Sequence, residues 1–165
     1  MRLKAFALAL FLPLCLSLCA CSDAEQVKLK APYSCEVTIS TDADTYSGAL
    51  KRDEGKWTFT YSEPEEIEGL TISYEGDEYN VKLGDIEFSD DRESLPDSAI
   101  STLIISSLDS ATLSSDVKYT TNNDTVVAKG VVGESAYTIT FKDDIPTSLT
   151  IEGIEVEFSN YKSEE

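Results

Sequence analysis

The 165-residue chain carries 31 Asp and Glu against 13 Lys and Arg, has no histidine, and bears a formal charge of −18 at pH 7. A polyanion of this kind is repelled by nucleic acid and by anionic lipid headgroups, which argues against both as partners of the folded body. The missing histidine removes the commonest general base and metal ligand, and the sequence holds no nucleophile elbow, phosphate loop or paired-cysteine metal motif, so it reads as a non-enzyme with no cofactor.

Arg2 and Lys4 open the chain, an apolar stretch runs from Ala5 to Leu18 broken by Pro13 and Ser17, and the small residues Cys19 and Ala20 follow. This is the layout of a secretory signal. It is shorter than the roughly 20 apolar residues a membrane-spanning helix needs, and it contains a proline. Leu18-Cys19-Ala20-Cys21 resembles the lipobox of bacterial lipoproteins. The resemblance implies cleavage before Cys21, a diacylglyceryl group on its thiol, and a fatty acid such as palmitate on the new amino terminus. Cys21 fits better than Cys19, which would place Leu18 just before the cut, where that family prefers Ala or Gly; Cys15 lies inside the apolar core of the signal. Two or more acyl chains, at about 0.8 kcal/mol per buried CH₂, hold a domain at a membrane surface without a spanning helix. The expected organisation is a signal over 1–20, a lipidated polar tether over 21–32 and one β domain over 33–162, extracytoplasmic and lipid-anchored to the cell membrane. Ser22 rather than Asp follows Cys21, so in a two-membrane bacterium the resemblance implies outer-membrane sorting. The signal holds two of the basic residues and none of the acidic ones, leaving eleven against thirty-one in a body of 145 residues. That length suits a single domain.

With Cys21 lipidated, Cys35 is the only remaining cysteine and has no intramolecular partner. A reactive thiol and an intermolecular bridge are the alternatives to a core position. Tyr33-Ser34-Cys35-Glu36-Val37-Thr38-Ile39 alternates apolar and polar residues, which puts Cys35 on one face with Val37 and Ile39, where a thiol behaves as a small hydrophobe. The same period of two recurs in Trp57-Thr58-Phe59-Thr60-Tyr61, Leu70-Thr71-Ile72-Ser73-Tyr74 and Tyr79-Asn80-Val81-Lys82-Leu83, with turns at Glu54-Gly55, Gly76-Asp77 and Gly84-Asp85. Over Ser94 to Ala111 the period changes: Ala99, Ile100, Leu103, Ile104 and Leu108 recur at helical spacing, and Ser94 with Asp97 has the spacing of a capping box. Most of this helix's Ser and Asp residues are expected to face outward. Thr125 to Val132, Ala136 to Lys142, Ser148 to Glu152 and Ile154 to Asn160 return to strand alternation. The reading is a mainly β (α+β) domain with an antiparallel sheet of about nine to ten strands and one helix against its apolar face.

Gly55-Lys56-Trp57-Thr58-Phe59-Thr60-Tyr61-Ser62-Glu63-Pro64, followed by Gly69 and by Tyr74-Glu75-Gly76-Asp77-Glu78-Tyr79, resembles the core of the LolA-type lipoprotein carriers. Trp57, Phe59, Tyr61 and Pro64 hold the places of that family's aromatic-Arg-aromatic-x-Tyr-x-x-Pro strand, and Thr58 stands where the carriers have arginine, a latch between sheet and lid. The resemblance implies a curved half-barrel with the helix packed on its concave face. A hydrophobic ligand, whether lipid, acyl chain or apolar peptide, would then bind by burial against Trp57, Phe59, Tyr61, Leu70, Ile72 and Tyr74. The alternatives are that these residues are simply core, and that the protein acts by contact with another envelope protein or with its own copy. Asp42-Ala43-Asp44 and Asp90-Asp91 could offer carboxylates to a hard cation, but without a calcium-loop register they read as solvated turn residues.

Overall fold

The computed structural model describes residues 26–95 and 99–163. The signal, Cys19 and Cys21 lie outside these residues, as do Pro96 and Asp97. Eleven strands form one antiparallel sheet: β1 (Tyr33–Ser40), β2 (Thr45–Asp53), β3 (Lys56–Glu63), β4 (Thr71–Glu75), β5 (Glu78–Leu83), β6 (Ile86–Asp91), β7 (Lys118–Asn122), β8 (Thr125–Val132), β9 (Ser135–Lys142), β10 (Ile145–Ile151) and β11 (Ile154–Ser163). This is one or two more strands than the alternation suggests. Thr45–Asp53 carries Gly48 in its middle, and the outermost strands, Ile86–Asp91 and Lys118–Asn122, are short and almost wholly exposed. All three blur the pattern that marks a half-buried strand.

The order across the sheet is β6-β5-β4-β3-β2-β1-β11-β10-β9-β8-β7. Every neighbour is a hairpin partner except the central pair, where β1 meets β11 with Val37 opposite Phe158 and Ile39 opposite Val156. The chain therefore runs outward from the middle to one edge, crosses, and returns from the other edge.

The crossing is made by helix α1 (Ile100–Leu113). It begins later than the periodicity suggests. Ser94 belongs to a separate 3₁₀ turn over Arg92–Ser94, and the helix starts at Ala99 with no side-chain cap. An uncapped helix of this length gains little from propensity, so packing must hold it. Its Leu103, Ile104, Ile105, Leu108 and Ala111 are buried with Phe59, Ile139, Phe141 and Leu149 from the sheet. The expectation that its polar residues face outward fails for Ser101 and Ser107, both buried.

Contacts with this one helix fix the curvature of the sheet. Tyr74 on β4 bonds to Ser101, and Tyr119 on β7 donates to the Ala111 carbonyl. β4 and β7 are eight strand spacings apart, nearly 40 Å in a flat sheet at about 4.8 Å each. Both reach a single helix because the sheet curls around it. Open sheets beyond about ten strands commonly do so.

Cys35 is buried among the core residues, and burial pushes its thiol up to about 12. Gln26 to Pro32, expected in the tether, lies against the domain: Val27 is buried, Leu29 packs on the core, and the Gln26 Nε2 donates to the Thr112 carbonyl at 2.9 Å. Among the described residues no helix is long and apolar enough to cross a membrane.

Backbone approach is tightest at Gly48, where a Cβ would run into the Thr60 carbonyl of β3. Gly48→Ala is expected to cost about 1–3 kcal/mol by overpacking, whereas Ala49→Ser on the exposed face should stay within about 0.5 kcal/mol. Urea unfolding of the two variants, followed by circular dichroism, checks the difference.

Candidate functional site

Residues directly opposite in an antiparallel pair share a face, so the register of β3 to β6 sorts the concave surface into rows. The first runs Trp57, Tyr74, Tyr79 and ends on Asp90. The second runs Phe59, Ile72, Val81, Phe88. The third begins with Tyr61, whose N–H donates to the Leu70 carbonyl at 2.9 Å, and ends with Leu83 opposite Ile86. All six sequence-selected residues therefore lie on this one face, which continues apolar onto β5 and β6.

Burial is graded across it. Trp57, Phe59, Tyr61, Tyr74 and Tyr79 are buried, Leu70, Ile72 and Val81 are half-buried, and Leu83, Phe88 and Ile86 are 39%, 51% and 73% exposed. Side chains of α1 reach Trp57 and Tyr74 in the first row, whereas all six residues of β6 are exposed. Most of the selected residues are thus floor and wall, while Leu70 and Ile72 border an uncovered strip that extends over Val81, Leu83, Ile86 and Phe88.

Polar clamps that the sequence reading did not identify hold the helix over the covered part. Trp57 Nε1 donates to Asp109 at 3.2 Å, and Arg52 Nη1 lies 3.0 Å from Asp109 Oδ1, an ion pair rather than an aligned hydrogen bond. The Arg52 guanidinium sits 4.6 Å above the Trp57 ring, close enough for a cation–π contact. Tyr74 Oη meets Ser101 Oγ at 2.8 Å and Thr102 Oγ1 at 3.1 Å. Arg92 donates to Ser106 Oγ at 3.0 Å and lies 5.3 Å over the Tyr74 ring. From the other half of the sheet, Tyr137 donates to Ser110 Oγ at 3.0 Å. Thr58 faces the opposite side of β3, paired with Lys51 and Ser73; the β-hairpin cation that meets the helix is Arg52, directly across from Trp57, and Arg92 meets it from beyond β6. The Glu54-Gly55 turn already implies that pairing, since residues 52 and 57 flank it symmetrically.

Burial raises the Asp109 carboxyl above its usual range, and Arg52 followed by the Trp57 hydrogen bond opposes the rise. Burial also pushes the Tyr61 hydroxyl up to about 12. A cleft of about 210 Å³ beside the clamp is lined by Arg52, Gly55, Trp57, Tyr74, Arg92 and Asp109 among others, a set too charged for an acyl chain. Of the acidic pairs read as turn residues, Asp42-Ala43-Asp44 lies in the turn between β1 and β2, whereas Asp90 and Asp91 end strand β6. Thr41 Oγ1 accepts from the Asp44 N–H at 3.0 Å, and Asp90 Oδ1 accepts from the Asp91 N–H at 2.8 Å.

No protein-family profile matches the chain, and no curated protein does. Solved structures do. The crystal structure of an uncharacterized conserved protein from Thermus thermophilus superposes with a TM-score of 0.56 at 10% identity, over 83% of this chain and 81% of the other. That of a LolA superfamily protein from Nitrosomonas europaea superposes with a TM-score of 0.51 at 10% identity, over 86% and 90%. The fold is LolA-like. At this identity the likeness extends to the curled sheet and its helix and no further.

Removing Arg52 leaves the Asp109 carboxylate half-buried beside an apolar ring. Arg52→Met is expected to destabilise the LolA-like domain by about 1–3 kcal/mol at pH 7. Without its main opposing charge, Asp109 titrates at still higher pH in the folded state than in the unfolded one. A raised carboxyl costs stability when ionised and none when protonated. The deficit of Arg52→Met relative to the parent should therefore shrink as pH falls through the folded-state value toward the ordinary carboxylate range. Paired urea titrations at several pH values check the sign.

Proposed function

We propose that the protein is a membrane-anchored extracytoplasmic lipoprotein, held by lipid on Cys21, that binds a hydrophobic ligand on the concave face of its LolA-like half-barrel. The supporting observation is the graded exposure of that face: apolar side chains continue past the helix onto β5 and β6, where Leu83, Ile86 and Phe88 stand open to solvent. Contiguous exposed apolar surface on a single-domain protein marks an interaction site. A lipid, acyl chain or apolar peptide laid along the strip gains about 25 cal/mol for each Å² of apolar area taken from water. Leu70 and Ile72 with Val81, Leu83 and Phe88 form its contact surface; Trp57, Phe59, Tyr61 and Tyr74 form the rigid floor beneath. No chemical step is involved, and no cofactor is required.

A second reading, an assembly lipoprotein that acts by protein contact, is favoured by one feature, the exposed strand at the β6 edge.

Cys21→Ser should release the protein from membranes in a fractionation experiment, whereas Cys19→Ser should leave it there. Labelled fatty acid that still follows Cys21→Ser would contradict the anchor. For the ligand, native mass spectrometry of the full chain isolated from membranes in mild detergent should show a bound apolar molecule that Leu70→Glu displaces while circular dichroism stays unchanged. Absence of any such molecule, together with a concentration-dependent dimer, would favour protein contact.

A further inference from the structure

Two strands, β6 and β7, end the sheet and have no strand partner on their outer sides among the described residues. An unpaired edge is a template for another chain unless it is blunted. β7 is blunted: it has five residues, Lys118 at its start, Thr120, Thr121 and Asn122 along it, and Tyr119 tied to the helix by a 2.6 Å bond to the Ala111 carbonyl. β6 is different. All six of its residues are exposed, with Ile86 and Phe88 on the concave face and Glu87 and Ser89 on the other. Its far end is already closed, because Asp90 Oδ1 accepts the Asp91 N–H and the Ser94 hydroxyl donates to the Asp91 carbonyl at 2.7 Å. The open stretch is therefore Ile86 to Asp90.

Charge decides what fits there. Between Asp77 and Glu93 there are seven acidic residues and two basic ones, and of the two bases Arg92 is turned to the helix. Arg92 is bound to Ser106 and stacked on Tyr74, and Lys82 lies directly across from Glu87. A second copy fits badly. Antiparallel self-pairing centred on Phe88 sets Ile86 opposite Asp90, and pairing centred on Glu87 or Ser89 sets Glu87 against Glu87 or against Asp91. Like charges directly opposite destabilise the last two registers, and the first sets a carboxylate against an apolar side chain, which costs desolvation with no partner for the charge. The acids thus guard β6 against its own copy and leave it open to an incoming strand of the opposite sign.

We infer that Ile86 to Asp90 is a docking edge for an extended segment of a partner polypeptide in which apolar and basic residues alternate, added to the sheet as a twelfth strand. Main-chain hydrogen bonds to β6 supply affinity, and the alternation supplies specificity. The partner's apolar side chains extend the row of Phe59, Ile72, Val81 and Phe88, while its basic ones face Glu87 on the other side. This deepens the protein-contact reading. It does not depend on the lipid on Cys21, and it goes beyond apolar-ligand binding because an acyl chain has no backbone to pair.

The test uses the full chain in mild detergent, titrated with a short fluorescein-labelled peptide alternating valine and lysine and followed by anisotropy. Binding is expected, weaker in high salt, and reduced about tenfold or more by Phe88→Glu. Glu87→Lys, an exposed change that spares the apolar face, should weaken it as well, and a valine–glutamate peptide should not bind. Two further peptides, N-methylated at every valine or at every lysine, keep side chains and charge but lose the donors along one edge. At least one of them should fail. If both bind like the unmodified peptide, or if the valine–lysine peptide does not bind, strand addition is wrong. Sedimentation that shows self-association removed by Phe88→Glu would make the occupant a second copy and overturn the claim. A fatty-acid probe run in parallel separates the two readings: peptide binding without probe binding supports the edge and contradicts a lipid or acyl-chain ligand, and the reverse contradicts the edge alone.

Discussion

One fourteen-residue helix has to cover the apolar face of an eleven-stranded sheet, and the rest of the molecule follows from that constraint. At about 1.5 Å per residue the helix is roughly 21 Å long, far less than the width of the sheet laid flat. The sheet meets the helix by curling. The helix in turn is buried on more than one side, which explains why Ser101 and Ser107 lie inside and why Asp109 turns toward β2 and β3. With no side-chain cap at Ala99, its position is set by packing and by the clamps from Tyr74, Trp57, Arg52, Arg92, Tyr119 and Tyr137. Polar groups placed this way fix where the helix sits more than they add net stability, because each must be desolvated before it can pair.

The same shortage of cover gives the protein a surface to work with. The helix seals the row that begins at Trp57 and the core around Phe59, and it leaves the far ends of the second and third rows bare. A domain meant only to be stable would be expected to blunt the β6 edge as it blunts β7. Here Ile86 and Phe88 remain exposed on a strand whose opposite face is acidic. Apolar surface and charge therefore meet at one edge of the LolA-like sheet, at the end of the rows that a hydrophobic ligand would follow.

The strand alternation in the sequence is enough to place the concave face, because a period of two assigns sides without ambiguity. It puts Trp57, Phe59, Tyr61, Leu70, Ile72 and Tyr74 together, and it puts Cys35 with Val37 and Ile39. It fails where the physical signal is weak or non-local. Gly48 interrupts β2, the edge strands have no buried side to show, and the start of the helix depends on where the sheet lets it dock rather than on Ser94. Arg52 and Asp109 are far apart in sequence and look like ordinary surface charges until the hairpin at Glu54-Gly55 brings Arg52 over Trp57 and the helix crosses above both. Thr58 drew the comparison with the carriers' arginine, yet in this fold it points away from the helix.

The division of the concave face into a sealed part and an open strip is the claim on which the functional reading turns. Methyl and aromatic NMR spectra of the protein, recorded while a medium-chain fatty acid is titrated in, test it most directly. Resonances of Ile72, Val81, Leu83 and Phe88 are predicted to shift, while those of Leu103, Ile139 and Phe141 beneath the helix stay fixed. Shifts centred on the residues under the helix, or none on the strip, would contradict it.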